Sequence, residues 1–557
     1  MEEETPREKN TCTAIELSFL LAIISLSLYL GYGNAAGHAI AHDFPVAYLA
    51  SDAFQHQTRA QGLLDAGNYR YEAFYNMRGY PDVVGFYMPV MYHLTAQISL
   101  LSGLASYDAI QLMVFFTVIP IIALAYFMVR GFNRNAALIG LGFVPLIFSQ
   151  GSYSGFLWGH WPSLLSQAFL VCALWSFLNI HEEGMTLLAG LFFAASVLTH
   201  TSEAIFLALF IFIYALVLFL KKEMGIAMIK KFAGAFALTA AITIYFMVIF
   251  KTAWFDTQGS SYMSLRPEPV WLGGPTFYLQ YFGLFIPFLI MGIVAAVLFW
   301  KKKNAKFLYP SLFLLAAGCT NYIGFGMRAF TLRFNWPVYL GGLLGLGLYL
   351  TAKAAYRKWD IKHSMALAIA ILIPVTGLVS IPYVASYQQV SGSITDPYHW
   401  QAYEWIAENT PKDAAIYFLY SEHYEQDAVM RNSRRFHALA TLDSVRSAMN
   451  DMALRRTLHT EVPGDTGGGL IQRTGFMHYA TREDNRSNMI DVCTFDYIVV
   501  DIVTRSDALT AYNRLFLQQL LKNENNKIVL QNEVLAIVQN TNKSVACMPD
   551  EVEIENG

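Results

Sequence analysis

Charged residues are scarce in this sequence. Asp, Glu, Lys and Arg make up 14% of the 557 residues, and 55% of the residues are hydrophobic. Soluble domains carry about 25% charged residues, so the composition excludes an ordinary soluble protein. The formal net charge of -3 gives no argument for a nucleic-acid partner. Many apolar runs approach or exceed the length of about 18 residues that can span a bilayer, which predicts a multispanning membrane protein.

Cysteine is also rare. The sequence has five cysteines and no CxxC pair, so we do not expect a zinc site built from thiolates. Cys12, Cys172 and Cys319 fall in or beside apolar runs, where a thiol packs as a small hydrophobic group. Cys493 and Cys547 lie in the polar C-terminal region, and an oxidising compartment would allow them to pair.

The apolar runs predict eleven membrane spans. The first run, from about Thr13 to Tyr32, lacks the short core and small-residue cleavage site of a secretory signal, and we interpret it as a retained span. Lys and Arg collect in cytoplasmic loops, and an N-terminus in the cytoplasm places every basic cluster there. The spans fall at about 13–33, 108–129, 135–150, 161–180, 185–200, 204–220, 232–250, 276–300, 307–322, 336–352 and 364–384.

One apolar segment is left out of this count. The stretch "YMPVMYHLTAQISLLSGLA" (87–105) is apolar enough to resemble a span, but counting it would put Arg130 and Arg134 outside. We interpret it as a helix that lies in or dips into the outer interface; the alternative is a true span with another span missed elsewhere. The first outer loop then covers 34–107, and a loop of this length is usually functional or contains its own helices.

The composition changes after Val384. The stretch "WQAYEWIAEN" has a helical apolar pattern, "AAIYFLY" and "FDYIVVDIV" are typical of strands, and "KIVLQNEVLAIVQN" indicates a hairpin. Helices alternating with strands predict a soluble α/β domain over 385–557, following a transmembrane domain over 1–384. An odd number of spans places this C-terminal domain outside the cytoplasm of a multi-pass cell-membrane protein.

Four stretches at predicted outer positions form a recognisable layout. They are the acidic "SDAFQHQTRAQGLLDAGNY", the Tyr-Pro stretch "YMPVMYHLTAQISLLSGLASYDA", the histidine-bearing "VLTHTSEA" and the arginine-bearing "MRAFTLRFNWPVYLGGLLGLGL". The layout, over about residues 10 to 385, resembles the GT-C superfamily of integral-membrane glycosyltransferases. A distant likeness extends to protein mannosyltransferases and to oligosaccharyltransferase catalytic subunits, which also carry a soluble outer domain.

The resemblance implies both a fold and an activity. The expected fold is an α-helical polytopic membrane protein, GT-C-like, with about 11 transmembrane helices and a C-terminal soluble α/β domain. The implied activity is inverting transfer of a sugar from a polyprenyl-phosphate-linked donor to a glycan, lipid or protein acceptor at the outer face. Two departures from the oligosaccharyltransferase pattern argue against transfer to asparagine and against a bound metal. The second outer loop, "SQGSYSGFLWGHW", has no carboxylate, and the C-terminal domain lacks the tryptophan-rich acceptor-peptide signature.

Asp52 and His56 are the candidate catalytic residues. The resemblance gives Asp52 the role of the first-loop aspartate, the base that accepts the acceptor proton. Two alternatives stay open: Ser51 or Asp52 is only a helix N-cap, or Asp52 is a metal ligand. His56 stands at i+4 and shares a helical face with Asp52. It either orients Asp52, contacts phosphate or a metal, or packs at the interface.

Arg328 and Arg333 are the candidate lipid-phosphate-binding residues. Arginine presents a planar fork that suits phosphate oxygens, whereas the alternative is snorkelling at a span end. Arg333 leads directly into the next span and is the better candidate. His200 and Glu203 in "THTSE" form another candidate pair, although Glu203 at a helix start also favours the helix dipole on its own.

Further substrate-site candidates are aromatic. Trp158 and His160 are candidates for lining the sugar or acceptor path, although tryptophan is also the usual interfacial anchor. Tyr87 is also a candidate, but a role in shaping the interfacial helix is favoured over contact with the substrate.

A divalent metal, Mg²⁺ or Mn²⁺, is the only cofactor that the sequence suggests. A site built from Asp43, Asp52 and His56 is conceivable, but the spacing gives it little support.

Two other functions stay open from the sequence. One is a polytopic transporter or flippase, disfavoured because the predicted span interiors hold almost no ionisable groups. The other is a non-catalytic assembly protein for a cell-surface glycan, which the missing second-loop acids leave open. Membrane lipids are partners in every case.

Overall fold

The structure is a computed structural model, and its α-helices up to residue 386 form a bundle. It describes residues 6–67, 72–79, 83–84, 87–250, 282–320, 329–356, 364–386, 392–426, 428–463, 470–473, 476–479 and 488–554. The helices are α1 (Pro6–Leu28), α2 (Ser51–Ala66), α3 (Val90–Ser102), α4 (Ser106–Phe116), α5 (Val118–Phe132), α6 (Arg134–Gly140), α7 (Gln150–Leu157), α8 (Trp161–Leu178), α9 (Met185–Val197), α10 (Thr201–Leu220), α11 (Ile226–Phe250), α12 (Ile286–Leu298), α13 (Tyr309–Gly318), α14 (Trp336–Ala355) and α15 (Ser364–Ser386).

Seven helices in the described part of the chain are long and apolar enough to cross a membrane. They are Thr13–Gly33, Ser106–Phe132, Trp161–Leu178, Thr201–Leu220, Ile226–Val248, Thr331–Ala355 and Ser364–Val384. An eighth is obtained if the pair Arg134–Phe148 and Gly151–Leu157, bent by 58°, forms one broken span. Pro145 lies in the 3₁₀ segment Leu141–Phe148 just before this bend, and proline interrupts regular helix hydrogen bonding.

The expected eleven spans are not confirmed. In their described residues, three of the predicted spans contain the shorter helices α9, α12 and α13. Thirteen residues, the length of α9 and α12, make a helix of about 20 Å, whereas the hydrocarbon core is about 30 Å thick. The segment that we left out of the count forms α3, also 13 residues long, which exposes Leu100 and Leu101 near its end. The interfacial position of α3 stays a prediction.

Small residues let the central helices approach each other closely. A Cβ atom on Gly345 of α14 would lie 2.1 Å from the carbonyl oxygen of Ala136 on α6. Four residues earlier, one on Gly341 would lie 2.9 Å from the carbonyl oxygen of Gly140. Small residues spaced in this way allow tight helix packing without a hydrophobic driving force from water. The α6–α14 crossing is therefore fixed by glycine.

The basic loops meet at one end of the bundle. Glu16 on α1 is buried and forms ion pairs with Arg130 and Arg134. At the same end, Lys306 Nζ donates to the Leu178 carbonyl at 2.6 Å, and Lys231 Nζ donates to the His181 carbonyl at 2.7 Å. Several basic clusters that the sequence assigns to one side of the membrane therefore do lie together.

The C-terminal part is an α/β domain built on a mixed sheet. Its helices are α16 (Pro397–Asn409), α17 (Leu442–Asn450) and α18 (Asp507–Leu521). Its strands are β2 (Ala415–Phe418), β3 (Phe436–Ala440), β4 (Ala453–Arg455), β5 (Thr457–Glu461), β6 (Leu470–Arg473), β7 (Phe476–Tyr479), β8 (Asn488–Asp491), β9 (Tyr497–Asp501), β10 (Asn526–Gln531), β11 (Leu535–Asn540) and β12 (Glu551–Glu553), and β1 (Val83–Val84) comes from the first loop.

Seven strands form the main sheet, in the order β10-β11-β9-β2-β3-β5-β8. Strand β2 pairs in parallel with β3 and β9, and the other neighbours are antiparallel. The sequence predictions of helix α16, strands β2 and β9, and the β10–β11 hairpin are confirmed. A disulfide bond joins Cys493 to Cys547. The continuous run "YIVVD" forms the inner strand β9, whose five residues are all buried.

The C-terminal domain packs on the predicted first outer loop, residues 34–107. The Ile394 amide donates to the Tyr48 carbonyl at 2.9 Å, and the ring centroids of Trp400 and Tyr107 are 5.2 Å apart. Strand β1 of the loop pairs with β6 of the domain. Because Tyr107 and Arg130 stand near opposite ends of one 27-residue span, the domain and the basic loops occupy opposite ends of the bundle.

Candidate functional site

Asp52 lies in the first turn of α2 and is exposed. The helix begins after Ala50, whose backbone is extended and which holds the N-cap position. Neither Ser51 nor Asp52 is therefore the N-cap residue. A carboxylate in the first turn still interacts favourably with the helix dipole. The exposed carboxylate stands beside backbone N–H groups that suit an anion.

The segment from 149 to 160 packs against this helix start. Gly159 has a φ of +88°, and a Cβ atom on it would lie 2.3 Å from the Ala53 amide nitrogen and 2.6 Å from the Asp52 carbonyl carbon. Slightly earlier in both segments, the Leu49 amide donates to the Leu157 carbonyl at 3.0 Å. Glycine is required at this close approach because any side chain would push α2 away. Trp158, next to Gly159, is half exposed.

His56 is enclosed by aromatic rings. It is buried, and its Nδ1 lies 2.9 Å from the Tyr92 hydroxyl. The rings of Tyr87 and Trp161 pack beside it, with centroids 6.3 Å and 6.4 Å from the His56 ring. Although His56 follows Asp52 by one helical turn, it is held inside while Asp52 is exposed. These contacts favour a packing or orienting role for His56.

Arg59 is a functional candidate that the sequence analysis missed. This buried guanidinium lies 3.7 Å from the centre of the Tyr87 ring and forms an ion pair with Glu72 at 3.3 Å. It stands on α2, three residues after His56. A cation–π contact of this kind gives Tyr87 a structural role. Arg59 could have been identified from the sequence, because it is a basic residue in an otherwise acidic loop motif.

His200 and Glu203 form a buried pair at the start of α10. His200 Nδ1 contacts one carboxylate oxygen of Glu203. The other oxygen accepts hydrogen bonds from the Ser163 hydroxyl and, at 3.0 Å, from the Thr331 hydroxyl. Glu203 is completely buried, whereas the His200 side chain is 22% exposed. Glu203 therefore joins α8, α10 and the 329–335 segment, and it fixes the orientation of His200.

A second polar group extends this network, and the sequence analysis missed it as well. The buried Gln167 of α8 accepts hydrogen bonds from Asn335 Nδ2 at 2.8 Å and from the Tyr339 hydroxyl at 2.9 Å. Its own amide donates to the Thr331 carbonyl at 3.0 Å. A glutamine inside an apolar run is the signal that could have identified it, because polar groups within spans are costly and usually paired.

Arg333 lies in the 3₁₀ segment Ala329–Asn335 that leads into α14. Its guanidinium is buried, and its Nε donates to the Gly318 carbonyl at 2.7 Å. Burial excludes the simple snorkelling interpretation, because a snorkelling arginine keeps its head in water. The next residue, Phe334, packs on the His160 ring with centroids 5.3 Å apart. Arg328 lies outside the described residues.

The four motif stretches therefore converge. Gly159 joins the 149–160 segment to the start of α2, and the His160–Phe334 contact joins that segment to Arg333. The Val90 amide donates to the Leu198 carbonyl at 3.1 Å, which brings the Tyr-Pro stretch beside "THTSE". This convergence lies at the end of the bundle where the C-terminal domain packs.

The structure does not bring Asp43, Asp52 and His56 together as metal ligands. Asp43 is exposed, and its neighbour His42 is held by Asp108, with Nδ1 and Oδ1 2.6 Å apart. Within the described residues, one group of three has ligand atoms that all lie within 4.8 Å of one another, and its members are in the C-terminal domain.

That group consists of Asp396, His399 and His423. His399 is buried, with Nδ1 2.6 Å from Asp396 Oδ2 and Nε2 3.0 Å from Asp501 Oδ2. Burial alone would lower the pKa of His399, but its bonds to the two carboxylates outweigh this and raise the pKa. Burial, followed by the charge of His399, lowers the pKa of His423. The arrangement offers two imidazoles and a carboxylate in one place.

The fold, a helical bundle followed by a C-terminal α/β domain, is similar to those of two kinds of solved membrane protein. The apo oligosaccharyltransferase of Archaeoglobus fulgidus aligns with a TM-score of 0.53 and 14% identity, over 76% of this chain and 64% of that chain. This chain thus spans less than two thirds of the archaeal enzyme. ArnT from Cupriavidus metallidurans bound to undecaprenyl phosphate aligns with a TM-score of 0.52 and 11% identity, over 95% of this chain and 98% of that chain.

At these identities the likeness shows the fold alone. The archaeal enzyme, named AglB, is also known in complex with an inhibitory peptide and a dolichol-phosphate, with a TM-score of 0.53 to this chain. No family model matches the sequence, and no curated protein matches it.

Proposed function

We propose that this protein is a membrane glycosyltransferase that moves a sugar from a polyprenyl-phosphate-linked donor to an acceptor, with inversion. The fold supports this proposal, since its structural neighbours include one protein bound to undecaprenyl phosphate and one in complex with a dolichol-phosphate. The acceptor is a glycan, a lipid or a protein.

The series of contacts that links the start of α2 to the other three stretches is the observation that carries the proposal. A transferase must hold a proton acceptor, a group that stabilises the leaving phosphate, and the walls that align donor and acceptor. Asp52 supplies an exposed carboxylate, and the Gly159 contact packs the 149–160 segment against its helix start. The buried network around Glu203 braces the segment that carries Arg333.

In the proposed reaction, Asp52 takes the proton from the acceptor hydroxyl as that oxygen attacks the anomeric carbon. The bond between this carbon and the phosphate oxygen then breaks, and the lipid phosphate leaves with the electron pair. Arg333, together with Arg328, neutralises the phosphate, because guanidinium groups pair well with phosphate oxygens. His200, oriented by Glu203, contributes a further donor to the same phosphate.

In this proposal, Asp52 acts as a general base without a bound metal ion. Within the described residues, Asp52 does not belong to the group of three close ligand side chains.

The proposed site faces the outside of the cell membrane, as does the C-terminal domain, while the N-terminus is cytoplasmic. Basic loops lie at the opposite end of the bundle, which supports a cytoplasmic position for that end. The Cys493–Cys547 disulfide supports an oxidising compartment for the domain.

The central test replaces Asp52. We expect Asp52→Asn to lower the release of undecaprenyl phosphate from undecaprenyl-phosphate-linked sugars by about 10²-fold or more, the usual contribution of a positioned base. The matched control is Asp65→Asn, which changes a carboxylate on the same helix about 20 Å away. Turnover of Asp52→Asn near that of the wild type would remove Asp52 as the base.

A wild-type protein that cleaves none of these donors would overturn the glycosyltransferase proposal. Movement of the intact lipid-linked sugar across proteoliposomes, without release of the lipid phosphate, would instead favour a flippase.

A second test addresses the phosphate. Arg333→Lys keeps the charge but loses the planar fork, and we expect undecaprenyl phosphate to bind about tenfold or more weakly. Arg130→Lys, at the opposite end of the bundle, is the control. Binding is measured by thermophoresis on variants whose unfolding temperature has been checked. Equal affinities of the two variants would exclude Arg333 from the phosphate site.

A further inference from the structure

Asp396, His399 and His423 form a compact group at the joint between the bundle and the C-terminal domain. Asp396 is the N-cap of α16, and its side chain accepts hydrogen bonds from the amides of Tyr398 and His399. His423 comes from the 3₁₀ turn Glu422–Glu425 that follows β2. The two imidazole rings stack with centroids 3.7 Å apart and an interplanar angle of 16°.

We propose that this group binds a divalent transition-metal ion, with Zn²⁺ as the best fit. Imidazole nitrogen and carboxylate oxygen together are ligands that Zn²⁺ prefers, and three protein ligands leave a fourth position for water. The ligand atoms of the three residues all lie within 4.8 Å of one another. The proposal does not depend on the proposed glycosyl transfer.

The surroundings of both histidines match those of metal ligands. His399 Nε2 lies 3.0 Å from Asp501 Oδ2, and His423 Nε2 lies 2.9 Å from the Tyr403 hydroxyl. The metal would bind the Nδ1 atom of each ring, in the carboxylate–histidine–zinc arrangement that orients such ligands, and at His399 it would displace the present contact between Nδ1 and Asp396. Asp501 is itself fixed, because its other oxygen accepts a hydrogen bond from the Tyr424 hydroxyl at 2.7 Å.

The metal would replace one proton, and the His423 ring would have to turn out of its stack with His399 so that both nitrogen lone pairs point at one ion. Zn²⁺ takes the place of the proton between His399 Nδ1 and Asp396 Oδ2, and that proton is released to water. These two atoms are 2.6 Å apart, whereas ligands of a tetrahedral zinc ion are separated by about 3.3 Å. Asp396 and His423 are both partly exposed, so they can turn toward the ion and admit it from solvent.

The local charge also favours a cation. Asp396 and Asp501 bring two carboxylates to the group, and Arg505 is the cation whose field reaches His423. Once the ion has displaced the His399 proton, both imidazoles are neutral and the group keeps a net negative charge. A bound divalent ion compensates this charge.

The position of the site suggests what the ion would hold. Residues 393 and 394, just before the group, bond to the Tyr48 carbonyl in the first loop. Asp501 ends β9, the inner strand of the main sheet. A metal bound at Asp396, His399 and His423 would tie the first turn of α16 to that sheet. The ion would therefore stiffen the joint through which the C-terminal domain packs on the loop that carries Asp52.

The test uses the full-length protein, purified in detergent, stripped with a chelator and dialysed against zinc chloride. We expect about one zinc ion per chain by elemental analysis, together with a higher unfolding temperature, because a ligand that binds only the native state stabilises it. Hydrogen exchange at the start of α16 and in the 422–425 turn should slow when zinc is bound.

Variants separate a metal site from a plain hydrogen-bond network. His423→Gln removes a partly exposed ligand, and we expect zinc affinity to fall at least tenfold. Asp501→Asn removes an outer partner, and we expect a loss of about 10- to 100-fold. His459→Gln, a histidine on β5 outside the group, should bind zinc as the wild type does. Absence of retained zinc, or an unchanged affinity in His423→Gln, would overturn the proposal.

Discussion

Glu203 is a fully buried carboxylate whose partners come from three parts of the chain. His200 precedes it by three residues, Ser163 lies on α8, and Thr331 lies before α14. An isolated buried carboxylate costs several kcal/mol, so these partners are what keep the charge inside the bundle. Since Glu203 holds Nδ1 of His200, the other ring nitrogen is turned away from it. In the proposed site, Glu203 is thus a positioning residue, and we expect His200 to be the group that reaches a substrate.

Replacing Glu203 tests this assignment. In Glu203→Gln the amide oxygen can still accept from Ser163 and Thr331, but its NH2 group then faces His200 Nδ1, so either His200 switches to the tautomer that accepts there or one of the three groups loses its partner. An unsatisfied buried polar group costs about 1–3 kcal/mol, so we expect a lower unfolding temperature and a larger fall in turnover. Glu183→Gln, in an exposed loop, is the control. Unfolding and turnover equal to those of the control would contradict the assignment.

At the scale of elements, the 149–160 segment and the start of α2 behave as one packed unit. Gly159 makes this contact through its backbone, so the position of Asp52 depends on a residue that has no side chain. A shift of about 1 Å in a reacting group can cost about 10²-fold in rate. The absence of carboxylates in this segment is therefore compatible with an important role in the proposed site.

Gly159→Ala is the corresponding prediction. A new Cβ atom would lie 2.3 Å from the Ala53 amide nitrogen, so α2 must move, and we expect turnover to fall about 10²-fold. Gly67→Ala is a matched control, because Gly67 also has a positive φ, at the C-terminal end of α2, but has no atom within 4 Å of its Cβ position. Both variants carry backbone strain, and only Gly159→Ala should lose activity. Equal turnover in the two variants would show that the close approach does not matter.

At the scale of the whole molecule, the two ends of the bundle differ in character. Basic loops and the Glu16 ion pairs occupy one end, and the first loop and the α/β domain occupy the other. The positive-inside rule then supports the proposal that the domain lies outside.

Labelling of intact cells tests this orientation. In a background with Cys12, Cys172 and Cys319 replaced by Ser, a membrane-impermeant maleimide should react with Asp413→Cys in the domain. It should not react with Lys302→Cys in a basic loop until the membrane is opened. Both positions are exposed, so accessibility within the protein does not limit either reaction. The reverse pattern would invert the proposed topology.

Helices and strands could be predicted from the sequence better than contacts between residues that are distant along the chain. The run "YIVVD" and the hairpin pattern identified β9 and the β10–β11 pair because strand periodicity is local. The bond between Glu203 and Thr331 joins residues 128 positions apart, and no local pattern reports it. The span count was not confirmed for a related reason, since helices as short as α9 and α12 are as apolar as full spans. The group at Asp396 was missed because His423 is 24 residues from His399 along the chain.

The pairing of β1 with β6 has a consequence for how the domain can be handled. Val83 and Val84, from the first loop, are the outer strand of the three-stranded sheet β1-β6-β7. A fragment cut after the last predicted span would leave β6 with an open edge, and open edges recruit other chains. The isolated C-terminal region should therefore be prone to self-association. A two-chain preparation that retains the first loop is the better starting material for studying it in solution.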